Sequence, residues 1–240
     1  MVADPVLLEA TSHGDLRVDD RAGSATLHNR NTAVIVDELQ RLSAYYPTFF
    51  VKNPETGRFA LVAIFGFSES ENLFVESDMW RSNCYVPLNI RRAPFMLGNH
   101  SGDEGDESVV LIDLGDKKVQ KDAGEALFNE RGFPTPYLEN KISVLKTLKD
   151  GMGKTQSFIE VLVDNDLLTP VSFKIEFENG SSQQIEGLYT IHEAGLQSLD
   201  DDKALEFYKN HYFEYAYMMI SSIGQVQRLI DDKNKLLQTE

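Results

Sequence analysis

The chain has 240 residues, 42% of them hydrophobic and 25% charged, with a net charge of -15 at pH 7. This is the composition of a folded chain long enough to bury a substantial core, and it excludes a disordered one. Both halves share the acid excess, so no basic segment offers itself to a phosphate backbone or an anionic bilayer; nucleic acid is excluded as a partner and membrane insertion is not expected.

The first half reads mainly as strands. Residues 24–28 form a short alternating stretch. Residues 34–46 carry Ile35, Leu39 and Leu42 at helical spacing and stop at Pro47. Residues 48–51, a turn at Asn53-Pro54-Glu55-Thr56-Gly57, and the apolar run 59–67 predict a hairpin with a mostly buried second strand. Residues 72–76 and 109–114 are further strand candidates, separated by a polar, acidic loop over 100–107.

The second half reads as helices around one hairpin. Ile142, Leu145 and Leu148 predict a helix over 136–149, and Phe158, Val161 and Leu162 predict another over 157–168, with a break at Gly151 and Gly153. Residues 170–177 and 183–192 alternate as strands around Glu178-Asn179-Gly180, a strong hairpin signal. Residues 212–237 predict one long helix whose Phe213, Tyr217, Ile220 and Ile223 face is buried. No repeat or linker divides the chain, so residues 1–240 are expected to form a single α+β domain: an antiparallel, β-rich N-terminal half and a mainly helical C-terminal half containing one β-hairpin.

The single cysteine, Cys84, leaves no intrachain disulfide and no multi-cysteine zinc centre, and suits a reducing compartment. No apolar run reaches the roughly 18 residues of a membrane span, and the opening residues lack the basic and apolar regions of a secretion signal. A cytoplasmic location is therefore expected, with signal-less export the alternative.

Apparent active-site motifs fail on spacing or context. Gly151-Met152-Gly153-Lys154-Thr155 ends like a phosphate loop, but Leu148 stands where the first glycine belongs and a helix rather than a strand precedes it. Thr155 is instead expected to cap the second helix. His13-Gly14-Asp15 has the spacing of an iron facial triad but reads as a turn before the strand Leu16-Arg17-Val18. Asp103, Glu104, Asp106 and Glu107 lack the spacing of a calcium loop. His192-Glu193 lacks the second histidine of a zinc protease, and no serine sits in a nucleophile elbow. Neither a metal site nor a cofactor is expected.

The segment ENLFVESDMWRSNCYVPLNIRRAPFML is different. It gathers the only Trp, the only Cys and a double arginine between aromatics and prolines. Arg91 and Arg92 could hold an anion bidentately against a flat wall of Trp80 and Tyr85, or one could pair with an internal acid such as Asp78 or Asp113 while the aromatics build core.

Tyr46-Pro47, Asn72-Leu73-Phe74-Val75, Trp80, Tyr85-Val86-Pro87, Arg91-Arg92, Pro94-Phe95, Gly124-Glu125-Ala126-Leu127-Phe128 and Gly187-Leu188-Tyr189 follow one another as in the bacterial SapC family, which the chain resembles over nearly its whole length. Ala93 departs from the pattern, where an aromatic is expected. The resemblance, with the failure of the catalytic motifs, implies a non-catalytic binding or accessory protein linked to surface-layer or outer-membrane proteins; the central segment, with Trp80, Tyr85, Arg91 and Arg92, is expected to hold its protein or peptide partner. The resemblance carries over no catalytic residue or cofactor. The alternative is a small-molecule or peptide-modifying enzyme built around Arg91 or Arg92 and a sequence-remote histidine. A pocket with a histidine against an acid favours the enzyme; a shallow groove beside an exposed strand edge favours binding.

Overall fold

A computed structural model describes residues 5–22, 25–102 and 105–238. In chain order its strands are β1 (Pro5–Leu7), β2 (Arg17–Val18), β3 (Asn31–Ala33), β4 (Thr48–Lys52), β5 (Phe59–Ile64), β6 (Val75–Glu76), β7 (Met79–Trp80), β8 (Phe95–Gly102), β9 (Gly105–Asp113), β10 (Val119–Gln120), β11 (Glu125–Ala126), β12 (Leu168–Glu176) and β13 (Ser182–Ile191). The helices are α1 (Ala10–His13), α2 (Leu39–Leu42), α3 (Leu88–Arg91), α4 (Pro136–Asp164), α5 (Glu193–Gln197), α6 (Asp201–Lys209), α7 (Tyr212–Ser222) and α8 (Gln225–Leu237). The architecture is α+β, with antiparallel sheets, a mostly strand N-terminal half and a helical C-terminal half enclosing the β12–β13 hairpin.

The chain divides into two compact units: Met1–His28, Val75–Arg81 and Leu88–Asp150 form the first, and Asn29–Phe74, Ser82–Pro87 and Gly151–Glu240 the second. In the first, β1, β9 and β8 make one sheet, β10, β2 and β11 another, and β6 pairs with β7. Leu16, Val18, Phe95, Ile112, Leu127 and Leu138 pack as its core. Pro136 begins α4, where its missing N–H is no loss. The Thr135 hydroxyl accepts from Leu138 N at 3.4 Å and donates to the Ala126 carbonyl at 2.7 Å, fixing the helix start to β11.

In the second unit one antiparallel sheet runs in the order β12-β13-β4-β5-β3. Its core is aromatic: the Tyr46 ring meets Phe74 at 4.6 Å and Phe65 at 5.2 Å, edge to face, and Phe158 meets Tyr215 at 5.5 Å. The hairpin turn takes the expected Asn-Gly form. Asn179 Oδ1 accepts from Ser181 N at 3.0 Å, and Gly180 supplies the positive φ.

Several expected boundaries move. Residues 24–28 hold a 3-10 helix over Ala25–His28 rather than a strand, and 34–46 hold only a 3-10 turn (Val36–Glu38) and α2. The apolar run 59–67 leaves the sheet after Ile64, and 72–76 contributes only Val75–Glu76. The acidic loop proves to be the tip of the β8–β9 hairpin, with Gly102 paired to Gly105; Asp103 and Glu104, and the side chains of Asp106 and Glu107, lie outside the described residues.

Two corrections concern helices. There is no break at Gly151 and Gly153, because α4 runs through both. Gly151 serves packing: a Cβ there would stand 2.3 Å from Ile35 Cδ1 and 2.9 Å from Asp37 Oδ2. The final helix is two, α7 and α8, separated at Ile223 and Gly224. Ser222, fully buried, turns its hydroxyl back to the Met219 carbonyl at 2.7 Å and accepts from Thr48 N at 3.0 Å, so the last turn of α7 is spent on starting β4. Tyr217, expected in the core, is 46% exposed, while Ala216 and Met219 of the same helix are buried.

Candidate functional site in the second unit

The four residues singled out in the sequence fall into different units: Trp80, Arg91 and Arg92 belong to the first, Tyr85 to the second. Trp80 is half-buried on β7, paired with Val75. Arg91 ends α3 and Arg92 follows it in a turn, so the pair does not alternate across a strand. Arg92 is held within its own loop, Nε donating to Asn89 Oδ1 at 2.6 Å and Nη1 to the Phe95 carbonyl at 2.9 Å. Burial lowers its pKa. The Arg91 guanidinium makes no ion pair among the described residues. Tyr85 donates to the buried carboxylate of Glu38 at 3.0 Å, its carbonyl accepts from the Tyr46 hydroxyl, and Arg41 lies over its ring at 5.5 Å.

The phosphate-loop lookalike is absorbed by structure. Lys154 pairs with Asp37 at 2.8 Å, and Thr155, inside α4 rather than at a helix start, donates to the Gly151 carbonyl at 2.7 Å and accepts from Val36 N at 3.0 Å. His13 and Asp15 stand on α1 and the turn after it, where Asp15 pairs with Lys121. No group of three or more His, Cys, Asp or Glu side chains fit to hold a metal occurs among the described residues.

The most site-like surface lies where sequence reasoning did not place one. On one side β13 is paired to β12 along its length, but on the other it meets β4 only at Leu188↔Val51 and Tyr189↔Phe50. From Ser182 to Gly187 the backbone groups facing away from β12 therefore carry no ladder bonds. A cavity of about 180 Å³ opens there, its apolar wall formed by Val51, Ile64, Phe67, Ile185 and Leu188, with Arg30 and Asn31 beside it. Arg30 is half-buried, lines an adjoining cavity with Asn29, Asn31 and Glu69, and forms no side-chain ion pair among the described residues. Across the hairpin, at the irregular register between Val171 and Phe173, Pro170, Ser172, Glu186, Gly187 and Tyr189 border a shallow groove of about 350 Å³. Gly187 sits at φ +77° between the two depressions, a conformation that glycine adopts without strain.

Gly187-Leu188-Tyr189, one of the sequence matches quoted above, thus lies at the centre of this surface, which lends weight to a comparison with known families. The SapC family model matches residues 8–229. The chain belongs to the SapC family. No curated protein and no solved structure matches it. For this SapC chain Gly187-Leu188-Tyr189 was legible only as part of the family pattern, and Arg30, an isolated cation between two asparagines, carried no signal.

Proposed function

We propose that this SapC-family chain is a non-catalytic binding protein for an extended polypeptide, an accessory factor of the surface-layer or outer-membrane kind that the family resemblance implies. The observation that carries the reading is the unladdered stretch Ser182 to Gly187 of β13 beside the Arg30 cavity. An incoming strand gains main-chain bonds along such an edge, and its alternate side chains enter whatever pockets flank it. The cavity falls short of the ~300–1,000 Å³ that encloses a drug-sized ligand, but it has an apolar wall for a side chain. The enzyme reading lacks comparable support. The histidine–carboxylate pairs among the described residues, His28–Asp78 at 3.1 Å and His211–Glu214 at 2.9 Å, are exposed and line neither depression.

The test is selection of peptides from a random display library against the purified chain, followed by binding to Ile185→Lys, which places a second positive charge on the cavity wall that Arg30 lines. Selected peptides should bind the wild type and lose affinity for the variant by about tenfold or more, the effect of setting an unpaired charge against apolar contact. Peptides that bind both proteins equally would contradict the assignment.

A further inference from the structure

The first unit contains an unusual concentration of buried positive charge. Lys118 and Lys141 are 5% and 7% exposed, and both direct their ammonium groups to one atom, Asp20 Oδ1, at 3.5 Å and 2.9 Å. Lys141 also donates to the Arg91 carbonyl at 2.8 Å, and Tyr137 donates to Asp20 Oδ2 at 3.1 Å. Asp20 is the only described partner of the Lys118 ammonium, which has three protons to place. The neighbouring acid, Asp19, is taken by Arg21 at 3.1 Å. Burial lowers the Lys141 pKa; Asp20 opposes the shift, and the charges of Lys118 and Arg91 add to it. Arg91 thus belongs to the same electrostatic neighbourhood, with its guanidinium unpaired among the described residues.

The charges do not balance. Lys118 and Lys141 point to one carboxylate, Asp20, itself 46% exposed; Asp19, which the Lys118 charge also reaches, is shared with Arg21, and Arg91 adds a further cation beside Lys141, so four cations stand against two acids. Buried ammonium groups are retained where anions and hydrogen-bond acceptors compensate them. The surplus is two positive charges, which one carboxylate ligand cannot match. A phosphate group can, since it carries about -1.5 to -2 near neutral pH and offers three acceptor oxygens. The cluster lies near the surface, since Asp20 is exposed and Tyr137 half-buried. We propose that Lys118, Lys141 and Arg91 form a binding site for a phosphate group, with Asp20 holding the two ammonium groups in position. The site is independent of the β13 surface, and no hydrolysis or transfer is assigned to it.

Equilibrium dialysis of the full chain against radiolabelled inorganic phosphate tests the proposal. One phosphate should bind per chain, saturably, and acetate at equal concentration should not displace it. Lys118→Met should melt no lower than the wild type in phosphate-free buffer, because it removes surplus buried charge. Lys118→Met and Arg91→Gln should each weaken phosphate binding by about tenfold or more, as expected for loss of a charge-assisted contact. Displacement by glycerol 3-phosphate at lower concentration than by unlabelled phosphate would assign the phosphoryl group of a larger ligand; weaker displacement would assign free phosphate. Absence of saturable binding, or displacement by acetate as readily as by phosphate, overturns the site. So does wild-type affinity in Arg91→Gln, whether or not Lys118→Met folds.

Discussion

The two adjacent arginines show how little a shared residue type says about role. Arg92 satisfies the Asn89 side chain and the Phe95 carbonyl and is partly desolvated, so Arg92→Ala leaves acceptors behind and should cost about 1–3 kcal/mol in a urea melt. Arg91→Ala should stay within about 0.5 kcal/mol, since its guanidinium pairs with no described residue. A stability loss at Arg91 equal to that at Arg92 would show that the Arg91 side chain contributes to the fold. The sequence made the pair conspicuous but could not separate them, because a strand and a helix end rotate adjacent side chains differently and α3 is only four residues long. Asp20, Lys118 and Lys141 escaped notice for another reason. Each looks like a surface charge in its own segment, and only the fold brings them to one oxygen.

At the scale of elements, strands with strong turn chemistry were legible: the β4–β5 and β12–β13 hairpins stand within a few residues of their expected bounds. Helix continuity was not, because glycine signals both a stop and a close approach. In α4 the two cases can be separated by experiment. Gly151→Ala places a methyl against Ile35 and should destabilise by about 1–3 kcal/mol, the usual cost of overpacking. Gly153→Ala meets nothing within 4 Å and should stabilise the helix interior by about 0.5–1 kcal/mol. If both substitutions shift the melt in the same direction, Gly151 is not the contact point described. The α7–α8 junction depends on Ser222 in the same local way. Ser222→Ala strands the Thr48 N–H and should cost about 1–3 kcal/mol, whereas Tyr217→Ala, at an exposed position, should cost less than about 1 kcal/mol. The reverse order would restore the single buried helix face that the sequence periodicity suggests.

For the whole molecule, we propose that the two compact units unfold together as a single domain, since α4 supplies residues to both without interruption. Calorimetry should then give one transition whose van't Hoff and calorimetric enthalpies agree; two resolved transitions would make the units separate domains. The acidic charge was fully legible and bears on partners, while the proposed binding surface was not, because a missing ladder is a property of strand pairing and no residue type encodes it. Among the described residues no helix is long and apolar enough to cross a membrane. The most direct test of the polypeptide-binding account is amide hydrogen exchange of the full chain with and without a peptide selected for binding. Amides in Ser182 to Gly187 that face away from β12 should exchange rapidly in the free chain and gain protection in the complex. Protection confined to other elements, with this stretch unchanged, would contradict it.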